Sequence, residues 1–487
     1  MLPRLPASFT LLFSLSAAIA APAVAATPPD TSRPHIVLVM ADDMGWGETS
    51  YYRHPVLKTP NLDAMAAAGL RFDRFYAGAP NCSPTRATVM TGRSNDRCGV
   101  ENHGFALRRQ EKTIAQGLRQ EGYRTAHFGK WHLNGYRGPG APILGADDHS
   151  PGAFGFDEWL SVTNFFDRDP ILSRQGKWEE FKGDSSEVVV DEALKHLARA
   201  AGGAQPTFTV IWFGTPHAPM IAAEADMKDF GALARNSANH YGELVAMDRS
   251  IGTLRAGLRR LGMAENTLLW FCSDNGGLPE IQPGTVGEFR GFKGSVYEGG
   301  LRVPGIVEWP AVIKAPRVTT YPCGTFDIFP TVAEITRLPA TALLQPVDGI
   351  SLRPLFTTDL KERGRAMGFR HTRRAALIED RYKIVALNLE RGPFQVFDLV
   401  ADPREQTDLA ETQPALTARL KQALLAWNAS VQSSYEGKDY PEGRVDPREP
   451  GSRDWVEAPE YAPYLRQLQA RPEYSAAITK GGRKKKG

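Results

Sequence analysis

Four short apolar runs organise the chain, and each gives way at once to polar residues. Residues 36–40 lead into Asp42 and Asp43, 124–128 into Lys130, Trp131 and His132, 208–213 into His217, and 268–271 into Asp274 and Asn275. Runs of this length, bounded by polar residues, read as strands buried on both faces. Between them the period changes. Leu244, Met247, Ile251, Leu254, Leu258 and Leu261 recur three and four apart over residues 241–261, the apolar stripe of a helix, and Gly262 stands where a left-handed cap closes it. A second helix runs over residues 59–69, with Pro60 in its first turn and Gly69 at its end. Strands alternating with helices predict an α/β fold, a large mostly parallel sheet flanked by helices. Ligands of such sheets gather beyond the carboxyl ends of the strands, and all four polar clusters fall there.

Two stretches break this rhythm. Residues 134–186 are rich in Gly, Pro and Asp with little periodicity, which reads as an excursion over the top of the sheet that shapes a substrate wall. Beyond Leu355 the runs shorten: 375–378, 382–387 and 395–399 look like antiparallel strands, and a helix follows over 414–427. The expected layout is a catalytic α/β domain at 34–355 and a smaller C-terminal α+β domain at 365–435. The latter carries no dense polar cluster and packs against the first. A C-terminal extension with a basic tail occupies 436–487.

The N-terminus changes the picture. Arg4 precedes an apolar stretch at 9–19, and small residues follow up to Ala23-Val24-Ala25, the order of a secretory signal peptide over 1–26. The protein is expected to be exported, periplasmic or secreted, without stable membrane insertion, because the stretch is too short to span and no later one is long enough. With 487 residues, 42% hydrophobic and 23% charged, at a net charge of +3, it reads as a soluble globular protein with no field for nucleic acid. The Lys484-Lys485-Lys486 run reads as a solvated end. Of four cysteines, Cys82, Cys98, Cys272 and Cys323, at most one intramolecular disulfide remains if Cys82 is chemically spent, so burial has to stabilise the fold.

Cys82-Ser83-Pro84-Thr85-Arg86 continues through Ala87 to Thr91 and Gly92-Arg93. It reads as a turn and a short helix, with Pro84 in the first turn and Gly92 at the end. The helix N-terminus directs free N–H groups and a positive dipole end at whatever lies near Cys82, which suits an oxyanion. In isolation such a pentapeptide is an ordinary capped helix with a buried thiol. Asp42, Asp43, Asp274 and Asn275 offer oxygen alone, the donor set of a hard cation such as calcium rather than zinc. Either pair alone is a turn; two pairs at the ends of separate strands make a candidate metal site.

These segments together resemble the type I sulfatases of the alkaline phosphatase superfamily. The resemblance runs from about Pro34 to Leu409 and is carried by residues 41–47 (ADDMGWG), the Cys82 motif, Gly129-Lys130-Trp131-His132, Pro216-His217-Ala218-Pro219, Ser273-Asp274-Asn275-Gly276, and Lys293-Gly294 followed by Glu298-Gly299-Gly300. The fourth motif position holds Thr85, where the family usually has Ser. Thr59-Pro60-Asn61-Leu62 through Arg93, and Gly155 through Trp159, are most similar to the branch that includes arylsulfatase A and N-acetylgalactosamine-6-sulfatase. The resemblance implies hydrolysis of sulfate monoesters, of a sulfated carbohydrate, through a formylglycine made from Cys82 by a separate maturation enzyme, with a covalent sulfo-enzyme intermediate. It implies that Cys82 joins Asp42, Asp43, Asp274 and Asn275 around one calcium ion. Arg86, Lys130 and His132 hold the hydrated formylglycine, His217 and Lys293 contact the sulfate and the leaving oxygen, and His132 takes the proton whose removal releases sulfate. Arg137, Arg168, Arg174, Arg290 and Arg302 are loop arginines available to an anionic sugar. Two alternatives stand beside this reading: a phosphonate or phosphodiester hydrolase of the same superfamily, and a non-catalytic protein that binds sulfated glycan.

Overall fold

The computed structural model describes Met1, residues 30–166 and residues 168–484. The expected signal peptide and the Lys485-Lys486 end of the basic tail lie outside the described residues. In chain order the first strands are β1 (His35–Ala41), β2 (Leu70–Tyr76), β3 (Arg124–Lys130) and the two-residue β4 (Tyr136–Arg137). They are followed by β5 (Glu158–Val162), β6 (Ile171–Arg174), β7 (Lys177–Glu180), β8 (Thr207–Trp212) and β9 (Thr267–Ser273). Next come β10 (Arg302–Glu308), β11 (Arg317–Thr319) and β12 (Cys323–Gly324). All but β4 share one sheet, in the order β11-β2-β10-β9-β1-β8-β3-β5-β6-β7 with β12 also on β2. The stretch β9-β1-β8-β3-β5 is parallel throughout.

The continuous apolar character of the central strands follows from their being covered twice. Ile36, Leu38 and Met40 of β1 enter one core, Val37, Val39 and Ala41 the other, as a period of two requires. The Arg235–Arg260 helix lays Leu244, Met247, Ile251, Leu254 and Leu258 into the second core. The helices Cys82–Thr91 and Ile328–Thr336 close the first. Truncating one such residue, Leu254→Ala for example, costs about 2–5 kcal/mol. The long helix starts six positions before the apolar stripe, in residues 235–240, where Ala238 is the one apolar side chain and periodicity alone could not reveal it.

The segment 134–186 is less of an excursion than its composition suggests, because it supplies β5, β6 and β7 to the sheet edge. β6 and β7 form a hairpin whose two turn residues, Gln175 and Gly176, have φ of 50° and 95°, the left-handed pair a two-residue turn demands. Strands of four residues between turn residues leave no readable alternation. On the other flank β10 runs antiparallel to both β9 and β2.

Four further strands, β13 (Met367–His371), β14 (Arg374–Glu379), β15 (Tyr382–Ala386) and β16 (Phe394–Asp398), form a second, antiparallel sheet. Its Ala375, Leu377, Ile384 and Val396 face Leu420 and Leu424 of the Pro414–Tyr435 helix. Its Phe369, Ala376, Ile378, Val385 and Phe397 face Tyr76, Leu301 and Phe326 of the large unit. One expectation fails at this junction. Lys383 of β15 is fully buried, 3.0 Å from Glu298 and 2.9 Å from Glu405, so the C-terminal unit does carry a dense polar cluster. Its partners lie far along the chain, and no local pattern announces them.

The extension also packs. Its strand β17 (Arg453–Asp454) pairs in parallel with β4. Trp455 Nε1 donates to Pro139 O at 2.7 Å, Tyr474 OH to Gly140 O at 3.0 Å and Tyr461 OH to Pro142 O at 3.0 Å. All four cysteines are buried and unpaired. No helix among the described residues is long and apolar enough to cross a membrane.

Candidate active site

The carboxyl ends of β1, β3, β8 and β9 converge, and they bring the expected residues together. Asp43 N donates to Asp274 Oδ1 at 3.0 Å, which ties the loop after β1 to the loop after β9. Lys130 Nζ, at the end of β3, lies 2.5 Å from Asp42 Oδ2. Arg86 reaches Asp274 Oδ2 at 2.9 Å and Lys130 O at 3.2 Å, with its guanidinium 5.0 Å over the Trp212 ring. Lys293 Nζ sits 2.6 Å from Asp43 Oδ1, and Asn275 Nδ2 donates to the same oxygen at 2.8 Å. His217 Nε2 is 3.8 Å from Asp43 Oδ2. Ligating atoms of Asp42, Asp43, Cys82 and His217 all lie within 4.8 Å of one another. Asp274 stands back from that group, both of its oxygens being engaged by Arg86 and the Asp43 amide.

Cys82 opens its helix. Asn81 caps it, the side-chain oxygen accepting from Cys82 N at 2.9 Å, and Gly92 closes it at φ 70°. All ten residues are buried. Thr85 explains why a hydroxyl is wanted at that position: its Oγ1 donates to Ala79 O at 2.7 Å and accepts from Ala79 N at 3.2 Å, pinning the approach to the helix. Serine carries the same group.

The electrostatics follow from burial and from the balance of three carboxylates with three cations. Burial pushes the Asp43 carboxyl up, but Lys293 and His217 outweigh it and hold the group below its ordinary value. Burial, then repulsion from Asp42, pushes Asp274 up to about 7. Burial raises the Cys82 thiol to about 12. His217 is brought down to about 3 by burial and Lys293. His132, 2% exposed, is held well below 6.5 by burial and then by Lys130 and Arg86, and neither of its ring nitrogens has a partner. Two oxygens, Asp42 Oδ1 and Asn275 Oδ1, are buried without a hydrogen-bond donor. Orphaned acceptors beside carboxylates are what a hard cation requires.

Sequence reasoning missed a supporting pair. Glu48 Oε2 accepts from Gly45 N at 2.7 Å, and its other oxygen bonds His240 Nε2, all fully buried beneath the Asp42-Asp43 turn. It also missed the walls of the cleft above Cys82, a space of about 560 Å³ whose base includes His132, His217 and Lys293. Asn102, His103, Asn164, Phe165 and His371 line the rest. They sit on loops or at a strand end, where no periodicity marks them. Of the loop arginines, Arg137 lies outside this cleft, in a separate pocket beside Asp454 and Trp455 behind the Gly138-Pro139 wall. Arg174 is taken by Glu179 and Glu192, and Arg302 stacks on Phe289 at 4.4 Å.

A large sheet with charged loops at its carboxyl ends, a smaller antiparallel sheet behind it and a buried cysteine at a helix start among those loops define an alkaline phosphatase-like fold. The chain belongs to the sulfatase family, whose model, Sulfatase, matches residues 34–338, and it is an enzyme that hydrolyses sulfate esters. N-acetylgalactosamine-6-sulfatase of Canis lupus familiaris is 32% identical over 377 residues, 71% of this chain and 69% of that protein. Arylsulfatase A of Homo sapiens is 33% identical over 376 residues, 70% of each. Among solved structures, Ps i-CgsB in complex with k-i-k-neocarrahexaose superposes with a TM-score of 0.74 at 23% identity, over 92% of this chain and 99% of that one. The phosphonate monoester hydrolase of Agrobacterium radiobacter gives 0.59 at 20% identity, over 82% and 96%. At these identities the structures speak for the fold alone.

Proposed function

We propose that this sulfatase hydrolyses sulfate monoesters of a sulfated carbohydrate at Cys82, after conversion of that residue to formylglycine, with one calcium ion beside it. The observation that carries the reading is the placement of Cys82 at a buried helix start among Asp42, Asp43 and Asp274, whose charges Arg86, Lys130 and Lys293 balance. A divalent cation held by Asp42, Asp43, Asp274, Asn275 and residue 82 would supply Lewis-acid polarisation and leave two positive charges in excess. That excess matches a monoanionic sulfate ester together with an ionised nucleophile. Hydrated formylglycine supplies two hydroxyls on one carbon, one to attack sulfur and one whose oxygen can later re-form the aldehyde.

The chain's own side chains do the rest. Lys130 and Arg86 fix the orientation of Asp42 and Asp274. Lys293, against Asp43, presents a cation to the sulfate oxygens, where charge spreads in the transition state. His217 donates its Nδ1 proton to Ala218 O at 2.6 Å, which directs Nε2 toward Asp43 and the scissile oxygen. His132, neutral and with both nitrogens free, is suited to take the proton from the second hydroxyl.

Sulfated sugar as substrate is supported by relatives named for a sulfated amino sugar. Export and maturation by a formylglycine-generating enzyme remain part of the proposal. Cys82 is 2% exposed, which supports modification before folding. Mass spectrometry of the Cys82 peptide from the native host tests the nucleophile: an aldehyde in place of the thiol is expected, and an unmodified thiol in active protein rejects the mechanism. Parallel assays with an aryl sulfate and an aryl phosphodiester separate this reading from a phosphonate or phosphodiester hydrolase.

A further inference from the structure

The proposed reaction uses the base of the cleft and leaves its walls without a task. Among the described residues, three that line the cleft carry buried polar atoms with no hydrogen-bond partner: His132, Asn164 and His371. His132 is occupied by proton transfer. The other two are not explained by the chemistry, and a buried polar atom without a partner weakens a fold unless something else meets it.

Asn164 follows β5 and is 5% exposed. Its Nδ2 donates to Gly138 O at 2.8 Å, which settles the sense of the amide and leaves Oδ1 as a fixed acceptor. His371 ends β13, so it is contributed by the second sheet, and its Nδ1 is the unpartnered atom. The two residues therefore come from different units of the fold. Asn102 adds a donor: its Oδ1 is taken by Asn81 Nδ2 at 2.6 Å and His103 N at 2.8 Å, leaving its own amide hydrogens for the cleft. Phe165 stacks on His217 at 4.6 Å and offers the flat apolar surface of the same wall. No carboxylate is among the described residues that line this space. Neutral donors and acceptors on several sides of an apolar ring suit a polyhydroxylated leaving group. A plain aryl or steroid ring would bring no partner to Asn164 Oδ1 and His371 Nδ1, which are buried and unpaired already.

We propose that Asn164 and His371 are specificity-determining residues: Asn164 Oδ1 accepts from one ring hydroxyl near the sulfated carbon, and His371 Nδ1 bonds a second. The site then selects a saccharide sulfate over an aryl sulfate. The inference rests on the sulfatase reading above and adds the groups that recognise the leaving alcohol. A site built to bond a hydroxyl discriminates strongly against an analogue that lacks it.

The test measures kcat/KM of the mature enzyme on hexoses sulfated at single positions and on 4-nitrophenyl sulfate. The best hexose sulfate is expected to exceed the aryl sulfate. Its deoxy analogue, lacking the hydroxyl next to the sulfated carbon, should fall by about tenfold or more. Asn164→Ala and His371→Ala should each shrink the ratio of sugar to aryl kcat/KM by about tenfold or more. A ratio unmoved in both variants overturns the proposal. So does a deoxy analogue as good as its parent, a comparison on unaltered protein that holds even if a variant does not fold. Aryl sulfate turnover with no preference for any hexose sulfate sinks this inference alone. An unmodified thiol in active protein sinks the mechanism beneath it.

Discussion

Two buried charge clusters, one holding Lys293 and the other Glu298, are both built from carboxylates and cations. At the junction of the two sheets, Lys383 bridges Glu298 and Glu405 at 3.0 and 2.9 Å. Glu298 also accepts from Tyr76 OH at 2.9 Å, and Glu405 from Glu298 N at 2.7 Å. Both oxygens of Glu298 and one of Glu405 accept hydrogen bonds, and Glu405 Oε1 meets the Lys383 ammonium as an ion pair alone. At the strand ends the charges balance as well, yet Asp42 Oδ1, Asn275 Oδ1 and both nitrogens of His132 are left without partners. The difference separates fastening from chemistry. A closed network holds two units in register, while an open one keeps its free valences for what enters the cleft.

The comparison can be broken in four places. Cys82→Ala should lower aryl sulfatase activity by roughly a thousandfold or more while the thermal midpoint stays put, and retained turnover would remove Cys82 from the chemistry. Lys383→Met should do the reverse, costing about 3–5 kcal/mol in urea unfolding because two buried glutamates lose their cation. Adding Glu298→Gln and Glu405→Gln to it should recover much of that loss, and no recovery would show that the charges are not the cause. Calcium at a hundred times its dissociation constant should stabilise the metal-stripped protein by about 2.7 kcal/mol. Asp42→Asn should abolish that thermal shift, and a shift surviving in Asp42→Asn would place the ion elsewhere. Smallest is Thr85→Ala, expected to cost about 1 kcal/mol through its lost bonds to Ala79, with Thr85→Ser keeping most of them. Equal losses in the two would deny the hydroxyl its pinning role.

The strand-end residues were legible because strong local patterns carry them: an apolar run fixes where a strand ends, and Asp42, Lys130, His217 and Asp274 follow such runs directly. Cys82 was legible through its motif and its Gly92 stop. Lys383 was not, since one lysine in an alternating strand reads as solvent-facing, and its glutamates lie 85 and 22 positions away. Glu48 and His240 were hidden for the same reason, a pair made 192 residues apart. Asn164 and His371 belong to a turn and a strand end, whose side chains acquire meaning only when two units meet. Short polar strands such as β7, exposed or half-buried throughout, are formed by the edge they join rather than by their own sequence.

The fastening of residues 138–142 by Trp455, Tyr461 and Tyr474 has a consequence in time. A chain arrested before Arg453 during synthesis already contains Asp42, Cys82, Lys130, His217, Asp274 and Lys293, and can fold the sheet that carries them. It lacks the aromatic props of the Gly138-Pro139 wall, which are made later. The cleft is finished only after the ribosome has passed Tyr474, so products truncated before Arg453 would carry an assembled reaction centre with an unsupported wall above it.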